Sequence, residues 1–227
     1  MKKNLLKNNG IQSLLASLLC VVLGMLIGYI VLLFIQPKGA GKAILTIIEN
    51  FFTYNRAETQ MKYLGSTLVK TAPLLMCSLS ILFAYKVGLF NIGASGQYTM
   101  GAFFALLCAI QFQMPWFVCL LAGAVGGAIW GIFPGLFKAY FNVNEVITAI
   151  MFNWIGMYLV NLLLANTPTM LASAWGASNS DRTAALSAAN PGAILPKGPF
   201  AALFGNSSWI NISIIITIVF AVLVWVV

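Results

Sequence analysis

Long apolar runs alternate with short polar ones along the chain, and the length of the apolar runs sets the reading. Ile11–Ile35 is apolar over 25 residues. As a helix it measures about 37 Å, enough to cross a bilayer core of about 30 Å with tilt. The same criterion predicts five further spans: Gly65–Tyr85, a segment entering near Gly88 and continuing through Tyr98–Ile110, Trp116–Phe137, Val146–Leu164 and Trp209–Val227. The polar stretch Gln36–Leu64 holds an amphipathic run, Ala43–Phe52, expected to lie on the membrane surface. Gln111–Pro115 reads as a turn, Lys138–Glu145 as a short polar link, and Ala165–Ser208, rich in Ala, Ser, Asn and Pro, as a long loop. The pattern predicts an all-α integral membrane protein, a polytopic helical bundle of about six spans, with residues 1–227 forming one transmembrane domain.

The third span is interrupted. Lys86–Gly101, KVGLFNIGASGQYTMG, places Gly88, Gly93, Gly96 and Gly101 with polar Asn91, Ser95 and Gln97 where a membrane helix should run unbroken. Hydrocarbon tolerates irregular backbone only where protein buries it or where it lines a wet cavity. A Gly-interrupted hydrophobic segment therefore points to the path of a solute. The fourth span carries Gly123, Gly127, Gly131 and Gly135, each four apart, a small-residue face that admits another helix closely.

Composition agrees with the pattern. The chain is 61% hydrophobic and 7% charged, against about 25% charged in an ordinary soluble domain. The net charge of +8 is scattered through the segments between spans. It reads as flanking and headgroup charge rather than as a nucleic-acid surface, and no nucleic-acid partner is expected. Histidine is absent, and Cys20, Cys77, Cys108 and Cys119 sit in apolar runs at no ligand spacing. They read as packing residues, with no metal site and no disulfide framework expected. The run after the basic N-terminus is longer than a signal-peptide core and no A-x-A cleavage pattern follows it, so it reads as a retained span.

Orientation is harder to read. Lys2, Lys3 and Lys7 place the N-terminus in the cytoplasm, yet six spans then put five basic residues inside and seven outside, against the positive-inside rule. The cytoplasmic N-terminus is kept because a first span often dominates.

Enzyme chemistry finds little support. The acids Glu49, Glu58, Glu145 and Asp181 all fall outside the proposed spans, which disfavours a proton-coupled path. Gln36–Ala43 (QPKGAGKA) lacks the first Gly and the final Ser/Thr of a P-loop. Gly93–Gln97 fails the G-x-S-x-G pattern at its last position. If solute moves uphill, the energy is expected from another subunit.

Gly88–Gln97, GLFNIGASGQ, resembles a signature of the membrane subunits of binding-protein-dependent ABC importers, in the nucleoside and simple-sugar branch related to the ribose and branched-chain amino acid permeases. Lys138–Asn153, KAYFNVNEVITAIMFN, is similar to a second motif of that branch, in the expected order. The resemblance covers essentially the whole chain. Family members are longer, with further spans, so the chain is expected to be the N-terminal two-thirds; the last span stays apolar to Val227, which reads as a fragment or a truncated reading frame. Ser95 stands where the branch usually has Glu, which removes a charge from the signature.

The resemblance implies a multi-pass permease subunit of the cell membrane, not an enzyme. It would hold no cofactor itself and work with an ATP-binding cassette subunit that uses ATP and Mg. The other implied partners are a second permease subunit, identical or homologous, and an extracellular substrate-binding protein or lipoprotein. Asn91, Gly93, Ser95, Gly96 and Gln97 would line the substrate path, Asn91 and Gln97 offering hydrogen bonds; the plain alternative is a helix break that only shapes packing. Residues 138–145 would be a short cytoplasmic helix seated in a groove of the ATPase, with Lys138, Asn142, Asn144 and Glu145 as coupling residues. Asn144 is placed to cap the next helix, and Glu145 to sit in its first turn. Residues 165–208, with Trp175, Asp181 and Arg182, would face the binding protein. Purine nucleosides such as guanosine are the favoured cargo; Tyr98, Phe103 and Phe104 could stack a base and could equally be packing or lipid-facing residues. Simple sugars such as ribose are the alternative. A non-transporting scaffold or relic, and a passive channel, are the readings from other classes.

Overall fold

The structure, a computed structural model, describes residues 9–49, 57–178, 181–204 and 210–226. Lys2, Lys3 and Lys7, on which the orientation rests, lie outside the described residues, as do Asn50–Phe52 of the amphipathic run and Trp209 at the head of the expected last span.

Eight α-helices carry the described fold: α1 (Asn9–Ile35), α2 (Pro37–Glu49), α3 (Ala57–Lys86), α4 (Ala94–Leu106), α5 (Trp116–Phe141), α6 (Glu145–Ala165), α7 (Leu186–Ala189) and α8 (Ser213–Val226). Among the described residues there is no strand, and an isolated bridge joins Leu171 to Thr183. Among the described residues four helices, α1, α3, α5 and α6, are long and apolar enough to cross a membrane, so the chain is a multi-pass, all-α membrane protein. Two expected spans come out shorter. The third is the 13 residues of α4 continued by a five-residue π-turn, Leu107–Gln111. The sixth is the 14 residues of α8, about 21 Å long.

Helix limits follow local chemistry. Gln36 breaks the backbone between α1 and α2, and Pro37 opens α2 at the position where its missing N–H costs nothing. The helix thus starts six residues before the expected amphipathic run. α3 begins eight residues before the expected Gly65, because six of the eight residues of Ala57–Leu64 (AETQMKYL), all but Thr59 and Tyr63, are good helix formers. It ends at Gly88, φ +79°, in a Schellman turn: Leu89 N–H donates to Ala84 O at 2.9 Å and Gly88 N–H to Tyr85 O at 3.1 Å.

The chain divides into two compact units, Met1–Leu64 and Gly65–Val227. In the first, Ile44, Leu45 and Ile48 of α2 face Val22, Met25, Leu26 and Tyr29 of α1 across an apolar groove. In the second, α4 packs against α5 and α6. Glycine sets how close they come. A Cβ on Gly101 would lie 2.8 Å from Gly123 O, and one on Gly127 3.1 Å from Gln97 O. Three of the four glycines expected to form a packing face, Gly123, Gly127 and Gly131, do meet α4; Gly135 meets nothing within 4 Å. Gly126, on a neighbouring face, seats the Phe104 ring. The core around these contacts includes Met100, Phe103, Trp130, Val160 and Met170, all buried.

The segment expected as a long loop is folded back. Ala172 N–H donates to Arg182 O and Ala184 N–H to Met170 O, both at 2.8 Å, closing a clasp over buried Met170. Asn190, buried, donates to Ala109 O at 2.9 Å and to Met114 O at 3.0 Å. It thereby satisfies one carbonyl in the π-turn and one in the turn that leads into α5.

Candidate functional site

The head of α4 is built from polar groups that replace a broken helix. Asn91 Oδ1 accepts Gly93 N–H at 3.0 Å, a side-chain turn that reverses the chain into α4. Gly93 stands at the N-cap and has no side chain with which to cap. The α4 amide N–H groups therefore need an acceptor from elsewhere. One comes from α6: Asn153 Oδ1 accepts Gly96 N–H at 2.8 Å, and Asn153 Nδ2 donates to Ile92 O at 3.0 Å. Gly96 has to be glycine for this contact, since a Cβ there would lie 2.8 Å from Asn153 Oδ1 and 3.0 Å from Asn153 Cα.

Two clefts open beside this head. The first, about 350 Å³, is walled mostly by apolar groups, among them Leu89, Phe90, Pro134 and Ala149. Its polar contributors are Asn91, Gln97, Lys138 and Glu145, with Gly131 and Gly135 leaving room. The second, about 560 Å³, runs along α3, α4 and α5 past Ser80, Tyr98, Gly123 and Gly127. Gln97 lines both. Each volume suits a small-molecule site, typically about 300–1,000 Å³.

The amides at the boundary are loosely bonded. Asn91 Nδ2 lies 3.4 Å from Gln97 Oε1 and 3.4 Å from Ser80 Oγ, and Gln97 Nε2 lies 3.5 Å from Asn91 Oδ1. Good N–H···O bonds run about 2.7–3.2 Å. Asn91 and Gln97 can exchange these contacts for a ligand at small cost, whereas the Asn153 bonds are of full strength.

At one end of the first cleft the chain turns from α5 to α6. Asn142 takes a left-handed conformation, φ 51°, which Asn tolerates better than most residues. Asn144 caps α6 by accepting Val146 N–H at 2.9 Å, with Glu145 in the first turn, as the sequence predicts. Lys138 and Glu145 form an ion pair at 2.5 Å that closes the turn. The expected short helix over 138–145 is not a separate element. Lys138–Phe141 is the last turn of α5, and three residues, Asn142–Asn144, make the whole reversal.

The structure thus gathers part of the expected set. Asn91, Gln97, Lys138 and Glu145 share the first cleft with Gly131 and Gly135; Gly123 and Gly127 line the second. Gly93 and Gly96 are buried beneath the break, and Ser95 is exposed and lines neither cleft. Asn142 and Asn144 stand in the exposed turn. Of the aromatics expected to stack a base, Phe103 and Phe104 belong to the packing and only Tyr98 lines a cleft. Ser80, Phe90 and Asn153 were not expected at the site. Asn153 and Ser80 carried a signal, a polar side chain inside an apolar span, which demands a partner.

Comparison with known proteins places the chain in a family. It matches the family model described as branched-chain amino acid transport system / permease component over residues 63–227. The guanosine ABC transporter permease protein NupP of Bacillus subtilis strain 168 is 28% identical over 219 residues, 95% of this chain and 58% of the relative. The nucleoside ABC transporter permease protein NupB of Lactococcus lactis subsp. cremoris strain MG1363 is 33% identical over 175 residues, 70% of this chain and 46% of the relative. The glucose ABC transporter permease protein TsgB13 of Haloferax volcanii is 35% identical over 113 residues, 47% of this chain and 30% of the relative. The chain spans between 30 and 58% of the length of these three relatives. No solved structure is significantly similar to it. With its interrupted helix, both clefts and the α5–α6 turn inside the matched region, the chain belongs to the family of branched-chain amino acid transport system permease components.

Proposed function

We propose that the chain is part of the permease subunit of an ATP-driven importer and forms a translocation path for nucleosides, with purine nucleosides such as guanosine favoured. The observation that carries this reading is the pair of loosely bonded amides, Asn91 and Gln97, at the boundary of two mainly apolar clefts. Such amides can exchange their mutual contacts for the hydroxyl and ring-nitrogen groups of a polar solute. Phe90 in the first cleft and Tyr98 in the second offer apolar faces for a base. The names of two relatives, for guanosine and for nucleosides, support the cargo class.

In this reading the chain hydrolyses nothing. ATP and Mg are used by a separate ATP-binding subunit, which grips the α5–α6 turn at Lys138, Asn142, Asn144 and Glu145. A second permease subunit, identical or homologous, completes the path. An extracellular binding protein docks on the 165–208 segment, where Trp175, Asp181 and Arg182 are exposed. The N-terminus lies in the cytoplasm. A second reading, a permease for simple sugars, is favoured by the glucose permease among the relatives. It needs the amides and not the aromatic faces.

Uptake of labelled guanosine in cells with and without the gene tests the proposal, with unlabelled nucleosides and unlabelled ribose as competitors. Gene-dependent uptake competed by nucleosides and not by ribose is the expected result. Gene-dependent uptake of labelled ribose without gene-dependent uptake of guanosine selects the sugar reading, and guanosine uptake unchanged by loss of the gene overturns the nucleoside assignment.

A further inference from the structure

We infer that Asn153 is a positioning residue for the transported solute: it supplies, from α6, the N-terminal cap that α4 lacks, and so holds Asn91 and Gln97 at the cleft boundary. The inference rests on the reading of the chain as a permease subunit.

The geometry is specific. An amide side chain has one acceptor and one donor end, and both are used here on backbone that cannot be exchanged by mutation. The acceptor end takes Gly96 N–H at 2.8 Å on the helical side of the break. The donor end gives to Ile92 O at 3.0 Å on the irregular side. The orientation is fixed by its partners, because a flipped amide would set donor against donor and acceptor against acceptor. Asn91 and Gln97 flank the two clamped residues in sequence, so the clamp sets where both carboxamides stand. Asn153 lies nine residues after the cap residue Asn144, about 13 Å along the α6 axis. The helix that begins at the α5–α6 turn therefore carries the clamp on the head of α4. Neighbouring packing leaves it no slack: Phe152 O accepts the Trp130 indole N–H at 3.2 Å, and a Cβ on Gly156 would lie 3.1 Å from Trp130 Nε1.

The test uses the full-length protein in its own membrane, with Cys20, Cys77, Cys108 and Cys119 replaced by Ala and a reporter thiol introduced as Gln97→Cys. Labelling by a small aqueous maleimide reads how far the head of α4 opens. Losing both Asn153 bonds in Asn153→Ala is expected to speed labelling about thirtyfold, the equilibrium equivalent of two net hydrogen bonds. Asn153→Asp keeps the acceptor for Gly96 N–H and loses the donor, so its rate should fall between, and it carries the test if Asn153→Ala does not reach the membrane. In the Gln97 parent, Asn153→Ala should lower maximal guanosine uptake about tenfold per molecule of protein in the membrane. Labelling unchanged within about twofold by both Asn153 variants overturns the inference, whatever uptake does. Faster labelling in a protein whose Gln97, Asn153 parent takes up no guanosine leaves the clamp standing and removes the nucleoside reading. Faster labelling with uptake fully retained makes Asn153 a packing residue only and overturns its role in positioning solute.

Discussion

A methyl group added at Gly101 would sit 2.8 Å from the carbonyl oxygen of Gly123, whereas one added at Gly135 would meet nothing within 4 Å. Backbone cannot yield as a flexible side chain does, so the two positions should answer the same substitution in opposite ways. Gly101→Ala is expected to destabilise the protein by about 1–3 kcal/mol through overpacking. Gly135→Ala should be neutral, or stabilising by up to about 1 kcal/mol as a helical Gly→Ala change. Thermal unfolding in detergent checks both, and equal melting shifts would contradict the described α4–α5 contact. Ser95 gives a second prediction. Because it points into neither cleft, Ser95→Glu, which restores the charge the signature usually has, should leave the pattern of competing solutes in an uptake assay unchanged. At this scale the sequence was partly legible. The glycines spaced by four announced a close helix contact, since no other residue offers backbone so freely. Asn153 was visible only as an anomaly, because its partners are 57 and 61 residues away and no local pattern names them.

The reversal between α5 and α6 takes three residues, Asn142–Asn144, held by a left-handed Asn, a helix cap and the Lys138–Glu145 ion pair. An ion pair this exposed, 41% at Lys138 and 23% at Glu145, is screened by solvent and adds little to stability. A loss of function from Glu145→Lys would therefore exceed what the turn's own stability explains. Glu145→Lys is expected to abolish uptake while the protein stays in the membrane at normal level. The swap Lys138→Glu with Glu145→Lys should rebuild the pair and still fail to transport. Recovery in the swap would mean that Glu145 serves the turn and not a partner. Asn190 makes a separate element-scale prediction. Asn190→Ala leaves Ala109 O without this donor and Met114 O with only the Cys119 thiol at 3.5 Å, at a cost of about 1–3 kcal/mol. Lower melting with the four membrane-length helices retained is the expected result. Asn-Pro-Gly at 190–192 announced a turn but not the target of its side chain. Helix starts at Ala57 and Pro37 were missed for another reason. The apolar run marks where lipid begins, and a helix continues past it wherever the residues permit.

At the scale of the molecule, apolar run length was enough to read a multi-pass helical protein, and four helices have the length to cross. The third and sixth segments could not be measured that way, since polar groups at their ends hide where regular backbone stops. The clefts were legible only in part. The interrupted helix marked one wall, to which Phe90 belongs, while Ser80 of α3 and the α5 glycines reach the clefts from outside that stretch. The two ends of α4 also have a consequence for how the protein is made. Its first turn is closed by Asn153, 57 residues after Gly96, and the π-turn that continues it by Asn190, 81 residues after Ala109. At a synthesis rate of about 5–20 residues per second these groups arrive about 3 to 11 s and about 4 to 16 s after the backbone they satisfy. During that interval α4 is a short, polar-headed segment with neither end closed, too costly to release into lipid. The insertion machinery must shelter α4 until α6 has been made, so nascent chains stalled before Asn153 should still crosslink to that machinery through α4, and chains stalled well beyond Asn190 should not.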